Sequence, residues 1–371
     1  MRRSVISIAL MLTASAPALA ANVDALREGL DHLPESVFVQ EKGDVAYFAD
    51  VDVMSAQGES GPANSFVRLF AAADFTPLQS LASSEQSEWE TKAGTTRDKV
   101  RYFTSFGVPP NTHTFWGLVD EASATELVST LETIGFESAG MPGVVGNGEP
   151  MQFNPQDRDP ANPWRTRVGA AQFAAATGTN VVQAQTPQAA MTAASDQPRL
   201  GQNPIIATAL AGLEQSAGEA HVVQAVVISP LFGLAGLDPA AVLSPTADIA
   251  ETRAKIEAQM EALGKGIPAY MGGIVADIQT DKMGAAIALA YPDCTVAQAA
   301  ADAIAGRWSD MAPDTAQGEI ETGTAEGVDG LCAAVVTVLI DESETVQNPA
   351  YAAVLNAHMR REASVLQIGS E

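Results

Sequence analysis

The chain has 371 residues, 46% of them hydrophobic and 18% charged, with a formal net charge of -25. This is the composition of an ordered globular protein with material for about two domains at ~150 residues each, not of a disordered acidic chain. The acid excess is spread along the sequence, which excludes the clustered Lys and Arg that nucleic-acid or anionic-lipid binding requires.

The first twenty residues, MRRSVISIALMLTASAPALA, carry Arg2 and Arg3, a mostly apolar run from Val5 to Leu12, and small residues ending in Ala18, Leu19 and Ala20. They predict a secretory signal peptide, residues 1–20, cleaved at an A-x-A site. Its apolar run is far shorter than the ~20 residues of a spanning helix, and no Cys at the cleavage point offers a lipid acceptor. The paired arginines also suit a twin-arginine signal, but the short polar lead-in favours general secretion. The expected location is therefore the periplasm or the extracellular space, with no integral membrane span after cleavage.

Val23 to Leu33 has apolar residues at helical spacing and stops at Pro34, which predicts a short helix. SVFVQEKGDVAYFADVDV alternates around Lys42, Gly43 and Asp44, as two strands joined by a tight turn would, and puts Asp50 and Asp52 on one strand face. That aspartate spacing resembles the start of an EF-hand loop, but Met54 and Ser55 stand where a ligand and a glycine are needed, so calcium is rejected there. A strand at Thr114 to Val119 leads to Ser123, read as an N-cap with Glu126 in a capping box, and to a helix through Leu127, Leu131 and Ile134 that Gly135 ends. AQFAAATGTNVVQAQ predicts a hairpin turning at Gly178 and Thr179, and Pro187 begins an alanine-rich helix.

Turn-rich SDQPRLGQNP, residues 195–204, separates an N-terminal α+β domain, 21–200, from a C-terminal one, 201–371. After a helix at Ile205 to Gln215, the second domain reads as strand 222–229, helix 248–263, strands 273–279 and 285–291, helix 295–308 and strand 331–340. This β-α-β-β-α-β order is that of a ferredoxin-like sandwich. Tyr351 to Ser364 adds a terminal helix. The first half fits a degraded version of the same plan, without any residue-level repeat.

Cys294 and Cys332 suggest one disulfide in an oxidising compartment, against the alternative of two buried thiols. The ferredoxin-like order opposes the bridge. It sets the two cysteines at opposite ends of a strand of about seven residues, ~23 Å apart at ~3.3 Å per residue, beyond disulfide reach. Either the segment 309–330 reroutes the chain or one of the two expectations fails.

No G-x-S-x-G, S-x-x-K, H-E-x-x-H or phosphate-loop order is present, and the four histidines lack ligand spacing. Glu319 and Glu321 in GEIETGTAEG read as a solvated edge. SPLFGLAGLDPAAVLSP, residues 229–245, is apolar but broken by Gly and Pro, and reads as a core loop or as an apolar lip for a ligand. The densest stretch is NPQDRDPANPW, residues 154–164. Asn154, Asp157 and Asp159 are weak calcium candidates, and Asp157, Asp159, Trp164, Arg165 and Arg167 a weak ligand-binding set; the competing reading is a proline-stiffened connector anchored by Trp164.

The sequence thus leads to an exported protein that binds a small ligand or an envelope partner without catalysis and without a cofactor. Two alternatives stand beside it. One is a secreted, hydrolase-like enzyme whose site forms only in three dimensions; the other is a structural accessory of an envelope complex.

Overall fold

The computed structural model of the chain describes residues 23–39, 46–60, 65–72, 75–108, 111–165, 169–195, 198–216, 220–234, 258, 265–340, 346–360 and 362–369. The expected signal peptide, the turn at Lys42 to Asp44, helix 248–263 apart from residue 258, residues 235–245 of the apolar loop, and Arg167 lie outside them.

The first half contains α1 (Asp24–Leu30), β1 (Tyr47–Asp50), α2 (Val51–Ser60), α3 (Thr76–Ser83), α4 (Gln86–Ala93), β2 (Val100–Val108), β3 (Asn111–Leu118), α5 (Glu121–Thr133), β4 (Glu137–Ser138), β5 (Val144–Gly146), β6 (Phe173–Thr177), β7 (Asn180–Ala184) and α6 (Pro187–Ala194). The second contains α7 (Pro204–Ser216), β8 (His221–Ile228), β9 (Gly273–Gln279), β10 (Met283–Tyr291), α8 (Cys294–Met311), β11 (Glu319–Glu326), β12 (Cys332–Ile340) and α9 (Pro349–Arg360). A mixed helix and strand fold is therefore present, and no helix among the described residues is long and apolar enough to cross a membrane.

All twelve strands join one sheet in the order β11-β12-β10-β9-β8-β1-β2-β3-β7-β6-β5-β4, and every adjacent pair is antiparallel. Outward from the centre the halves repeat one plan, β1-β2-β3-β7-β6 on one side and β8-β9-β10-β12-β11 on the other. At the centre, Phe48 faces Ala225, with Tyr47 opposite Val226 and Ala49 opposite Gln224. Residue i of β1 corresponds to i+177 of β8 under this pairing, which is the register of a local two-fold axis through the Phe48–Ala225 pair. In each half an aspartate two residues beyond the third strand caps the following helix. Asp120 accepts from the Ser123 N–H at 2.7 Å, and Asp293 accepts from those of Thr295 and Val296 at 2.8 and 2.9 Å.

The ferredoxin-like order is corrected by β11. The expectation counted five elements after β8 and missed Glu319–Glu326, whose extra passage reverses the chain, so β12 runs antiparallel to β10 and Cys332 lies opposite Tyr291. Cys294, three residues beyond Tyr291, then meets Cys332 with a Cα–Cα separation of 5.0 Å and forms the disulfide. The conflict between bridge and topology disappears with the strand that caused it.

Both faces of the sheet are covered, so its central strands are nearly continuous apolar runs rather than alternating ones. On one face α1, α7 and the central strands share a single core that crosses between the halves, including Leu26, Phe48, Leu210, Ala225 and Ile274. Close approach here depends on small residues: a Cβ built on Gly212 of α7 would lie 2.7 Å from the Ala333 Cβ. On the other face the apolar cores are separate. One holds Phe103, Trp116 and Leu127 under α3, α4 and α5, and the other holds Ile287, Ile304 and Trp308 under α8 and α9.

Two local expectations need correction. Asp120, not Ser123, is the α5 cap, because the strand ends at Leu118 and the helix begins sooner than expected. Asp50 and Asp52 do not share a strand face, since the strand ends at Asp50 and its carboxylate accepts from the Val53 N–H at 2.9 Å to start α2. Burial outweighs that bond and raises the Asp50 pKa to about 6.

A pKa above its unfolded value contributes stability below about pH 4 that is lost as pH rises through about 6. Asp50→Asn, which keeps an acceptor oxygen, is therefore expected to raise stability at pH 7.5 by up to about 3 kcal/mol, with no gain at pH 3.5, in urea titrations at both values. Cys332→Ala is expected to cost about 2–4 kcal/mol under oxidising conditions, and strong reductant should lower the wild type to the variant's urea midpoint.

Candidate functional site

Between the two separate cores lies a polar seam. Gln224 on β8 and Asp277 on β9 interrupt the apolar runs HVVQAVVI and GIVADIQ on the same face as Val226 and Val275, and both are buried. Opposite them, the 3-10 turn of Ser65–Ala72 between α2 and α3 sends Arg68 across the seam from the first half. Arg68 donates to Asp277 through Nε (2.9 Å) and Nη2 (2.5 Å), and to Gln279 Oε1 through Nη1 (2.5 Å). The Asp277 carboxylate also accepts from Gln224 Nε2 at 2.7 Å and Asn348 Nδ2 at 2.5 Å.

Asn348 extends the network into α9. Its Oδ1 accepts from the Ala350 and Tyr351 N–H groups while its Nδ2 also reaches the Gly284 carbonyl at 2.7 Å. Tyr47 on β1 donates its hydroxyl to Gln224. Burial, with Tyr351 and Asp277 adding to it, pushes the Tyr47 pKa well above its ordinary value. Burial and Asp277 do the same to Tyr351, whose hydroxyl has no hydrogen-bond partner among the described residues. Both phenols therefore remain protonated.

With relative exposures of 3% and 0% on the two side chains, the ion pair is fully desolvated. Each buried ion costs several kcal/mol, which the pairing and the amide bonds offset. The cluster ties Arg68 of the first half to Asp277 of the second and so acts as a clasp between them.

A second candidate among the described residues is an open cleft in the first half. The cleft, of about 330 Å³, separates α4 and the Gly94–Thr96 turn from α5. Leu127, Ile134 and Gly94 add apolar surface to its lining, which also includes Thr91, Thr95, Thr96 and Thr130; the Thr91 hydroxyl donates to the Ser87 carbonyl at 2.8 Å. Gly94 turns the chain in the left-handed region, with φ of 78°, as a helix C-terminus commonly requires. At the rim Lys99 and Glu126 form an ion pair, whereas Glu90 is held by neutral donors. Lys99 donates to Glu126 at 2.6 Å, and that bond holds the ammonium pKa above its ordinary value. Glu90 accepts from the Arg97 N–H at 3.0 Å and from Gln86 at 2.9 Å.

The stretch 154–165 forms neither of these sites and folds back on its own domain. Asn154 caps the single turn Pro155–Asp157, Asp159 accepts from the Ala161 N–H at 3.1 Å and pairs with Lys92 at 2.9 Å, and Asp157 lies 3.8 Å from Arg165. Arg165 also donates to the Asn147 carbonyl at 3.4 Å. Trp164 stacks on Trp116 with centroids 4.5 Å apart and planes at 2°, and its indole N–H donates to the Ala93 carbonyl at 2.9 Å. Asn154, Asp157, Asp159 and Arg165 are thus tied up in local bonds. Among the described residues no three His, Cys, Asp or Glu side chains converge as a metal cage.

Arg68, Gln224, Asp277 and Asn348 escaped the motif search because they match no motif. Their signal was present nonetheless: single polar residues inside apolar strand runs are buried, and a buried charge requires a partner. The cleft residues gave no such signal, since threonines in a turn look like solvent contacts.

Compared with protein-family models, curated proteins and solved structures, the chain has no significant match.

Removing Arg68 strands a buried carboxylate, so Arg68→Met is expected to lower unfolding free energy by about 3–5 kcal/mol. Adding Asp277→Asn neutralises that charge, and the double variant should recover part of the loss when both are compared with wild type by urea unfolding.

Proposed function

We propose that the chain is an exported protein of the periplasm or extracellular space that binds a small, neutral, hydroxyl- or amide-bearing ligand without catalysis. The observation carrying this reading is the cleft between α4 and α5, at about 330 Å³. That volume falls at the lower end of the ~300–1,000 Å³ usual for small-molecule sites. The chemistry of the lining narrows the ligand class. Lys99 and Glu126 neutralise each other, Glu90 is held by the Arg97 amide, and Thr95, Thr96 and Thr130 share the lining with apolar Leu127 and Ile134. An anionic ligand would have to compete with Glu126 for Lys99 and would meet Glu90, whereas a neutral polar one need only exchange hydrogen bonds with water for those with the lining.

Export is supported by the Cys294–Cys332 disulfide, since such bonds persist in oxidising compartments and are rare in reducing ones. The signal-like first twenty residues agree with it.

Native mass spectrometry of the protein purified gently from its own host tests this reading, with Thr130→Trp as the comparison because an indole there would fill the cleft. The expected result is a noncovalent mass excess on the wild type that vanishes on denaturation and is missing from a variant of unchanged melting temperature. A bare wild-type mass, or an excess that persists in Thr130→Trp, would contradict it.

A further inference from the structure

The two ends of the sheet are not equivalent, although the two halves share one plan. In the first half, the outer side of β6 is occupied: β5 pairs along it, with Val144 opposite Ala175, Val145 opposite Ala174 and Gly146 opposite Phe173. β4 then pairs with β5 through only two residues. In the second half the matching strand is β11, eight residues long, and it is the last strand of the sheet. Among the described residues nothing pairs with its outer side, so every second N–H and C=O of Glu319–Glu326 faces away from β12 without a backbone partner. This plan already seats an added antiparallel strand at the corresponding place, and the longer of the two edges is the one left open.

The side chains along the open edge select the occupant. Glu319, Glu321, Thr322 and Glu326 are exposed, and Lys282 lies 3.8 Å from Glu319. A second copy of the chain is disfavoured: antiparallel pairing of two β11 edges about a two-fold axis would gather Glu319 and Glu321 of both copies on one face of the joined sheet, where like charges are destabilising. A strand with Lys or Arg at alternate positions would instead place cations about 5 Å from Glu319 and Glu321, which share one face of the sheet. The open ladder supplies attachment and the carboxylates supply selectivity, which is how strand addition divides affinity from specificity.

We propose that β11 takes up an extended, lysine- or arginine-bearing segment of a partner protein as a thirteenth strand. The inference is independent of the cleft between α4 and α5, which lies in the other half.

Three synthetic peptides on the full chain test it: an eight-residue peptide alternating Lys with Val or Thr, the same sequence with Glu for Lys, and the Lys peptide N-methylated at alternate backbone nitrogens. Affinity is read by fluorescence polarisation and the contact by hydrogen exchange. The expected result is binding of the Lys peptide alone, slowed exchange in residues 319–326, and at least a tenfold loss of affinity in Glu319→Lys/Glu321→Lys at unchanged melting temperature. Equal binding of the N-methylated peptide would show unspecific charge attraction and overturn the proposal. So would protection that leaves 319–326 unchanged, or no binding up to about 1 mM peptide.

Discussion

The Arg68–Asp277 ion pair is the constraint on which the arrangement of the two halves depends on one face of the sheet. On the opposite face an apolar core runs unbroken across the central β1–β8 pairing. Here the cores stop short of one another, and the gap is closed by a buried cation from the first half held to a buried carboxylate of the second. Such a pair adds little net stability compared with a well-packed apolar substitute, but its failure on one side is costly. Its value is geometric. Asp277 accepts only where Arg68, Gln224 and Asn348 converge, so the pair fixes the turn after α2, the central strands and the start of α9 relative to each other.

Around that clasp the repeated strand plan diverges in ways that separate tasks. The first half inserts α2, α3 and α4 between its first two strands, which supplies both Arg68 and one wall of the cleft. It also closes its outer sheet edge with β5 and β4. In the second half β11 is the last strand among the described residues, and the disulfide joins the strand ends. The cleft and the open edge thus occupy opposite halves of one continuous sheet, with the clasp between them.

Much of the fold was legible from residue patterns. The hairpin turning at Gly178 and the strand at Gly273–Gln279 follow from apolar runs bounded by turn residues. Helix α8 follows from its 3.6-residue spacing. β11 was not legible, because an exposed edge strand has one wet side and no neighbour beyond it, so EIETGTAE shows charge where buried strands show valine. That omission set Cys332 at the wrong end of the sheet and made a real disulfide look impossible, while the adjacency of β8 and β9 is a further departure from the ferredoxin-like order. The seam was legible only in hindsight: Asp277 in GIVADIQ announces a buried carboxylate, but no local pattern names a partner 209 residues away. In the stretch 154–164 the special residues include a capping oxygen at Asn154 and a tryptophan whose indole N–H bonds the Ala93 carbonyl.

The account's central claim is that the clasp and the shared sheet make the two halves one cooperative unit. Native-state hydrogen exchange in rising urea tests it most directly, by comparing the slowest amides of the β2–β3 hairpin with those of β9–β10. The account predicts that both sets converge on one opening free energy with the same urea dependence. Two separate opening free energies, persisting as urea rises, would mean that the halves unfold independently and would contradict it.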